Sequence, residues 1–591
     1  MKLSLQKYWQ LLSRHIRPQK RRFVLLAGLL FGSIGLQIIN PQIMRGFIDA
    51  ALSSGPLNQL MVSAVAFIGI AIFQQVISVM VTYLGENVAW TATNALRAEL
   101  AWHCLNLDMS FHNQHTPGEL IERIDGDVAE LATFFSQFVI IVAGNLLLLV
   151  GILAALFIES WAAGLTFTAF ALGALLILSR IRDIAVPHQK ARRQAEADLF
   201  GFIEEQLTGT EDIRAAGAVS YSLRELFSLQ GNIMRHDRLA HFKGWIIHNS
   251  IGMMLVLGNM LAITTGYLLF TRGSITIGTV YLFIHYINLL EQPIWALTHQ
   301  IEGFQTIGAC IERLTDLRQI QPKVVDFESD TVSGANPYSE SLMDGPLSLD
   351  FQNVTFAYDN DEPVLSDLTF HLEKGKTLGL LGRTGSGKTT LTRLVFRLYD
   401  PNDGSILLGG KDLRQAKLEA LRQKIAIVTQ DVQLFRSSVR DNLTFFNNNI
   451  NDTQIEAAIE ALELGDWYRS LPQGLDTLLE SGGHSLSAGE AQLLAFTRVF
   501  LRSPGLVILD EASSRLDPAT EQHIERAIDR LLQNRTAIII AHRLETVQRA
   551  DEIMILDDGA AIEHGLRREL ASDPDSRFYQ LLQTGLEEVL V

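Results

Sequence analysis

Cysteine is almost absent from this sequence, which holds only Cys104 and Cys310 among its 591 residues. Two cysteines exclude a disulfide-stapled scaffold and any multi-cysteine metal cluster. We interpret both as ordinary thiols in segments that face a reducing compartment.

Charged residues are also scarce. They make up 19% of the chain, below the usual quarter, while hydrophobic residues make up 48% and the mean hydropathy is +0.17. A soluble protein of this length rarely has so little charge. The composition therefore indicates a membrane protein, and the length predicts two or three domains.

The charge that is present is unevenly placed. Residues 1–323 hold 24 basic and 23 acidic residues, a balance of +1, and the remainder holds 25 basic and 42 acidic residues, a balance of −17. The first half is thus hydrophobic and nearly neutral, and the second half is acidic and has the composition of a soluble domain. An acidic surface argues against nucleic acid as a partner.

Six stretches are long and apolar enough to span a bilayer, whose hydrocarbon core needs about 20 residues of helix. They lie at residues 23–45, 59–84, 134–157, 161–180, 246–271 and 275–299. The short loops between paired spans carry only Arg272, whereas the N-terminus and the long polar loops are rich in Lys and Arg. By the positive-inside rule, both termini and the long loops are cytoplasmic.

These patterns predict a multi-pass protein of the plasma (inner) membrane. Residues 3–20 are predicted to form an amphipathic surface helix, and the long loops are predicted to extend the spans as helices. Residues 324–345 are polar and rich in Ser, Gly and Asp, which is typical of a linker. The boundaries are then an all-α transmembrane domain at 1–323 and an α/β domain at 346–591.

A phosphate-binding pattern follows the linker. An apolar strand leads into a segment that fits G-x-x-x-x-G-K-[ST] at each required position, and a helix begins at its end. Backbone N–H groups of such a loop close around phosphate oxygens, and the helix points its positive end at them. The residues are Gly382, Arg383, Thr384, Gly385, Ser386, Gly387, Lys388, Thr389 and Thr390.

Lys388 is expected to reach the β- and γ-phosphates, and Thr389 to hold Mg²⁺. A second apolar strand, LVILD, ends in Asp510 and is followed by Glu511. Asp510 suits Mg²⁺, and Glu511 suits the general base that polarises the attacking water. ATP and Mg²⁺ are the ligands that these residues imply.

In these motifs the sequence resembles an exporter-type ABC half-transporter, with fused transmembrane and P-loop ATPase domains, over nearly its whole length. The resemblance implies that Tyr358 stacks on adenine, that Gln430 senses Mg²⁺, and that His542 contacts the γ-phosphate. It places Asp517 in the loop that communicates between sites. It also places the family signature at Ser487, Ala488, Gly489 and Glu490.

Two cytoplasmic segments resemble the coupling loops of ABC exporters. Residues 111–128 resemble the first, which docks a short helix on the ATPase domain. Residues 201–218 resemble the second, which in this family reaches the ATPase domain of the other subunit.

The signature departs from the usual LSGGQ, because this chain has LSAGE, and Arg515 replaces a small residue in the communicating loop. Each site in the family joins the phosphate loop of one subunit to the signature of the other. We therefore hypothesise a heterodimer, in which the partner completes the site of Glu511 while LSAGE faces a weaker site. A homodimer that tolerates LSAGE is the alternative.

The resemblance implies ATP-driven export of an amphipathic small molecule, drug, lipid or peptide by alternating access. An importer of chelated metals or a regulated channel on the same scaffold is the alternative. The sequence leaves the substrate open. Ionisable residues within spans are the default candidates for substrate contact, and they are His248, His285 and Glu291.

Overall fold

A computed structural model describes residues 17–299, 301–326, 345–358, 362–430, 432–480, 486–510, 518–541 and 544–584. The chain divides into two compact units. The first comprises Met1–Leu105 and Pro117–Ile320, and the second comprises Asn106–Thr116 and Gln321–Val591. Most of the predicted surface helix and of the predicted linker lies outside the described residues.

The described residues up to 319 are mostly helical. Its helices are α1 (Lys20–Leu52), α2 (Leu57–Leu105), α3 (Met109–Gln114), α4 (Pro117–Ile121), α5 (Val128–Gln137), α6 (Gly144–Glu159), α7 (Trp161–Thr208), α8 (Thr210–Ala215), α9 (Val219–Thr271), α10 (Ile277–His299) and α11 (Ile301–Gln319). π-helical turns at Glu122–Asp127 and Phe138–Ala143 join α4, α5 and α6.

Three helices are much longer than a membrane requires. Helices α2, α7 and α9 contain 49, 48 and 53 residues. At a rise of 1.5 Å per residue each is more than about 70 Å long, against a hydrocarbon core of about 30 Å. The polar segments after the second and fourth spans and before the fifth therefore continue the spanning helices without a break, as the sequence predicted.

Among the described residues, five helices are long and apolar enough to cross a membrane: Arg17–Leu52, Leu57–Leu105, Ile141–Glu159, Trp161–Ile181 and Val219–Thr271. The sixth predicted span corresponds to α10, which has 23 residues but is not among those five. Its apolar character is reduced by His285, Asn288, Glu291 and Gln292. The count of six spans stays a prediction.

Aromatic side chains fill the centre of the first unit. Tyr286, Phe167 and Phe283 are fully buried, and the two phenylalanine rings meet edge to face at 5.6 Å. The Tyr286 hydroxyl donates to the carbonyl of Ile38 at 2.9 Å and accepts from the Gln42 amide at 3.0 Å. The polar end of this tyrosine is thus satisfied within the helical core.

A polar cluster joins α1 to two other helices. The Asp49 carboxylate accepts from the backbone N–H of Gly278 at 2.9 Å and from the Thr276 hydroxyl at 2.7 Å, so it caps the start of α10. One turn earlier on α1, Arg45 forms an ion pair with Glu159 at the end of α6. These contacts fasten the ends of α1, α6 and α10 together.

A buried carboxylate fixes α11 to the π-helical turn. Asp127 is buried and accepts from the Arg313 guanidinium, with Nε at 2.8 Å. The same guanidinium contacts the Cys310 sulfur at 3.4 Å. Burial and the adjacent Asp127 raise the pKa of the Cys310 thiol to about 12. The sulfur is therefore an unreactive thiol at neutral pH.

The second unit contains two sheets. Its strands are β1 (Leu349–Phe356), β2 (Leu365–Leu372), β3 (Thr377–Leu381), β4 (Asp403–Leu408), β5 (Lys411–Asp412), β6 (Ile425–Val428), β7 (Leu506–Asp510), β8 (Thr536–Ile540), β9 (Glu552–Asp557) and β10 (Ala560–Leu566). One sheet is antiparallel in the order β2-β1-β4-β5. The other has the order β10-β9-β3-β8-β7-β6 and is parallel except at β10.

The second unit also contains helices that follow β3 in the chain. They are α12 (Lys388–Val395), α13 (Leu418–Lys424), α14 (Val439–Thr444), α15 (Asp452–Ala461), α16 (Gly465–Ser470), α17 (Ala488–Arg502), α18 (Pro518–Leu532), α19 (Leu544–Val547), α20 (Arg567–Leu570) and α21 (Arg577–Thr584). Strands β3 and β8 are buried along their whole length, which is the pattern of central strands in a covered parallel sheet.

Helix α3 belongs to this second unit although it follows α2 in the chain. Phe111 is buried, and the Asn113 amide donates to the Tyr399 hydroxyl at 3.1 Å. Asp108 accepts from the backbone N–H groups of Lys323 and Val324, the latter at 3.0 Å. Of the segment predicted as the first coupling loop, residues 111–116 thus belong to the second unit and residues 117–128 to the first, and its coupling role stays a prediction.

Candidate functional site

The loop between β3 and α12 has the geometry of a phosphate cradle. Gly382 has φ +149° and Gly387 has φ +102°, values that an L side chain rarely adopts. A Cβ at Gly382 would overlap the carbonyl oxygen of Leu556, and one at Gly387 would lie 2.7 Å from Leu365 Cδ2. Glycine is therefore required at both positions for the loop to close.

Lys388 folds back over this loop. Its ammonium donates to the carbonyl of Gly382 at 2.5 Å and to that of Arg383 at 2.8 Å, and the residue is only 7% exposed. Ser386 is 4% exposed, and its hydroxyl has no hydrogen-bond partner within the described part of the chain. A buried hydroxyl without a partner in a glycine-rich loop fits a loop shaped to bind an oxyanion.

The rest of the loop is open to solvent. Arg383, Thr384 and Gly385 are exposed, and so is Thr389 in the first turn of α12. The exposed side chains and the buried ammonium surround the N-terminus of α12, where backbone N–H groups have no partner within the helix. The residues fit a polyphosphate at this position.

Tyr358 is fastened to the first turn of α12. Its hydroxyl lies 3.0 Å from the Thr390 hydroxyl and accepts from Arg393 Nη1 at 3.2 Å. Its ring packs edge to face against Phe356 at 4.9 Å and Tyr399 at 5.2 Å. The ring is half-buried beside the cradle, which is a position compatible with the adenine contact expected from sequence.

Neighbouring parallel strands bring two more predicted residues to the same edge of the sheet. Leu380 of β3 and Asp510 of β7 both pair with Ile540 of β8. Two strand spacings of about 4.8 Å therefore separate the end of β3 from Asp510. Gln430 follows β6, the next strand beyond β7, and is exposed. The sheet thus gathers the phosphate loop, Asp510 and Gln430 at its carboxyl edge.

The predicted signature forms the start of α17. Ser487 is the N-cap, and its hydroxyl accepts from the backbone N–H of Glu490 at 3.3 Å. The Glu490 carboxylate accepts in return from the Ser487 N–H at 2.7 Å and hydroxyl at 2.8 Å. This is a reciprocal capping box. Ala488 is exposed and Gly489 is buried between them.

Several predicted residues lie outside the described part of the chain. They are Glu511, Arg515, Asp517 and His542, and the side chain of His248. The two remaining candidates for substrate contact are described. His285 on α10 is half-buried and stacks on Tyr281 at 5.9 Å, and Glu291 is exposed.

Three features of this unit were missed from the sequence. The capping role of Glu490 could have been found, because S-x-x-E before an apolar run is a helix-start signal. The Asn113–Tyr399 contact had no local signal, since the two residues are 286 positions apart. Arg498 is buried and donates to the carbonyls of Asn442 and Gln433 at 2.6 and 3.0 Å.

Burial lowers the pKa of Arg498 to about 10, so the guanidinium is still protonated at neutral pH. Arg498 lies on α17, the helix that starts with the signature. Its hydrogen bonds to backbone carbonyls hold the segment after β6 against this helix. No periodicity predicts such a residue, because a buried arginine is uncommon on an apolar helix face.

Family models match both parts of the chain. The model described as the ABC transporter transmembrane region matches residues 23–294, and the model described as the ABC transporter matches residues 365–514. The second match includes the phosphate loop, the signature and Asp510.

Curated relatives are similar along nearly the full chain. The ATP-dependent lipid A-core flippase of Yersinia pestis is 30% identical over 573 residues, which cover 95% of this chain and 96% of the flippase. The uncharacterized ABC transporter ATP-binding protein YfiC of Bacillus subtilis is 28% identical over 568 residues, covering 96% and 92%.

A solved structure shares the fold. The ATP-bound structure of a bacterial Atm1-family ABC exporter matches with a TM-score of 0.77 at 23% identity, covering 96% of this chain and 98% of that one. At this identity the likeness shows the arrangement of a helical transmembrane domain followed by an α/β nucleotide-binding domain.

Gly387→Ala is expected to destabilise the α/β unit more than Gly385→Ala does. Both glycines have positive φ, at +102° and +88°, so each substitution strains the backbone by about 1–2 kcal/mol. Only at Gly387 does the new Cβ meet Leu365, which adds about 1–3 kcal/mol, since nothing lies within 4 Å at Gly385. The melting temperature of the nucleotide-free full chain in detergent measures the difference. Equal shifts for the two variants would contradict the cradle geometry.

Proposed function

Because this chain belongs to the ABC transporter family, we propose that it exports an amphipathic small molecule, drug, lipid or peptide by alternating access, as one half of a dimer. It is a membrane protein that hydrolyses ATP in a cytoplasmic domain. ABC exporters function as dimers in the lipid bilayer. Transport driven by ATP requires that ATP bind one conformation of the dimer more tightly than the other.

One observation carries the proposal: a closed phosphate cradle and a set of apolar spanning helices lie in one polypeptide. The similarity to a lipid A-core flippase along 95% of the chain supports outward movement of an amphipathic compound. The measurement that tests direction is ATP-dependent uptake into inside-out vesicles. Accumulation of substrate inside them fits export, and ATP-dependent loss from preloaded vesicles would refute it in favour of import.

Within the ATP site we assign roles to this chain's own residues. The N–H groups of residues 382–389 and the Lys388 ammonium bind the phosphates, and Tyr358 packs against the adenine. The buried Ser386 hydroxyl supplies a further donor inside the loop. Ser487 to Glu490 act at the site of the partner subunit, and Asp517 contributes to communication between the sites.

Three side chains at the carboxyl edge of the sheet carry oxygen atoms that suit a hard cation such as Mg²⁺. They are the exposed Thr389, Asp510, and Gln430 two residues beyond β6. Mg²⁺ held there would neutralise charge on the phosphates. We assign Glu511 as the general base for the attacking water, and His542 as the contact to the γ-phosphate.

Glu511→Gln is expected to bind ATP but to lose hydrolysis by about 10²–10⁴-fold, because the amide cannot accept the proton of the attacking water. Steady-state phosphate release and nucleotide retention in the purified transporter measure the two effects. The matched control is Glu460→Gln on the exposed side of α15, which leaves both unchanged. Normal turnover in Glu511→Gln would show that another group is the base.

We propose further that the dimer is a heterodimer. What supports this is the contrast between the intact phosphate loop and the altered signature, where Ala488 adds a methyl group and Glu490 a carboxylate. The chain expressed alone is expected to be monomeric, or dimeric without substrate-stimulated ATPase activity. Size-exclusion chromatography with light scattering, followed by an ATPase assay, decides between the two states. A stable homodimer with substrate-stimulated activity would refute the heterodimer.

Glu490→Gln is expected to tighten ATP binding at the site that faces this signature by about two- to fivefold, since it removes a negative charge from a helix N-terminus. Glutamine keeps the capping box, so the helix is preserved. Titration of the assembled transporter with a fluorescent ATP analogue measures the affinity. Glu490→Ala is the matched variant, because it removes the same charge but also breaks the cap. Unchanged affinity in Glu490→Gln would mean that the carboxylate does not act on the partner's nucleotide.

A further inference from the structure

A basic surface lies where α7 and α9 continue beyond the fourth and fifth spans on the cytoplasmic side. The two helices run antiparallel and pack against each other there. Four basic side chains on this surface are exposed, and none of them forms an ion pair with any described residue: Lys190, Arg193, Arg235 and Arg238. We call this set the basic shelf.

A groove with aromatic walls opens beside the basic shelf. It has a volume of about 680 Å³ and is lined by Gln189 and Arg192 of α7 and by His241, Phe242 and Trp245 of α9. Trp245 is 63% exposed and Phe242 is 57% exposed. Large exposed aromatic groups next to cations are typical of a membrane–water boundary.

The carboxylates in the groove are already engaged. Asp237 lies 3.6 Å from Arg192 and 3.3 Å from His241, and Glu196 lies 3.0 Å from Arg192. Arg192 is thereby held between the two carboxylates, and it compensates one of their two negative charges. The four cations of the basic shelf outweigh the remaining negative charge, so the surface as a whole attracts an anion.

The depth of the groove matches lipid headgroups. Trp245 lies 26 residues before the outer end of α9 at Thr271, a helix length of about 39 Å. The hydrocarbon core accounts for about 30 Å of this, so Trp245 lies in the headgroup layer. Arg238 lies two helical turns deeper into the cytoplasm, on the same face of α9.

We propose that this groove binds an anionic phospholipid of the inner leaflet. Its phosphate lies in the headgroup layer beside Trp245, where the long side chains of Arg193 and Arg238 contact it from the cytoplasmic side, and its acyl chains extend from there into the hydrocarbon core. Basic pockets between transmembrane helices on the cytoplasmic side bind such headgroups, and each Lys or Arg adds to the attraction. The site is separate from the ATP site and does not require that the protein export anything.

Quenching of Trp245 by brominated lipid tests the proposal. The assembled transporter is placed in nanodiscs that contain rising fractions of brominated phosphatidylglycerol or brominated phosphatidylcholine. The Trp245 signal is the difference from Trp245→Phe, because the chain holds 7 tryptophans. We expect half-quenching at a several-fold lower fraction of the anionic lipid, and we expect the preference to weaken at high salt.

Arg193→Gln and Arg238→Gln are each expected to raise the half-quenching fraction of phosphatidylglycerol about fivefold, with no change for phosphatidylcholine. The control is Arg224→Gln, an exposed arginine on α9 about 21 Å farther from the membrane than Arg238. It is expected to leave the preference unchanged.

Equal quenching by both lipids would overturn the proposal, because it would show a boundary contact without headgroup recognition. Absence of quenching by either lipid would also overturn it, and would indicate that the partner subunit covers the groove. Loss of the preference on adding millimolar inorganic phosphate would identify a site for free phosphate instead of lipid. Each reading is independent of transport, so failure here leaves the proposed export untouched.

Discussion

The first unit depends on one constraint, which is that backbone N–H and C=O groups in an apolar bilayer must be hydrogen-bonded within the protein. Uninterrupted helices satisfy it, and in α2, α7 and α9 the same hydrogen-bonded backbone continues far past the apolar segment. Elsewhere in this unit, polar groups such as the Tyr286 hydroxyl and the Asp49 cap of α10 are hydrogen-bonded within the protein. A rigid helix that leaves the membrane without a break can carry a displacement from the cytoplasm into the bilayer, which is what an ATP-driven transporter requires.

The second unit solves a different problem, since its ligand is highly charged. A covered parallel sheet places the ends of β3, β6 and β7 at one edge, and the residues that follow them meet there even though they are far apart in sequence. The cradle closes because glycine tolerates the backbone at residues 382 and 387, and the Lys388 ammonium is held by two loop carbonyls. Asn113 of α3 donates to the Tyr399 hydroxyl, and the Tyr399 ring packs against that of Tyr358. Two side-chain contacts therefore link α3 to the edge of the sheet that binds nucleotide.

Local patterns predicted much of this arrangement. Long apolar runs predicted the spanning helices, because helix is the conformation that satisfies the backbone in a bilayer, and the spacing of glycines and lysine predicted the cradle. What could not be predicted depends on tertiary packing: the pairing of Asp127 with Arg313, the carbonyl contacts of Arg498, and the ring cluster around Tyr358. The sixth predicted span, α10, shows the limit of hydropathy. It carries several polar residues, while most of its large apolar side chains are buried among neighbouring helices, which a hydropathy average does not include.

The capping box changes how the altered signature is understood. From sequence, Glu490 stands out only as a carboxylate next to a phosphate site. In the structure the same carboxylate accepts two hydrogen bonds from Ser487 and completes the N-terminus of α17, so it has a folding role that glutamine would fill equally well. Glutamate and glutamine therefore differ at this position in charge alone. That charge lies at the helix end that would face a partner's nucleotide, and it weakens the attraction of the helix N-terminus for an anion while leaving the helix intact. In the proposed heterodimer, this charge would make the two sites unequal without cost to the fold.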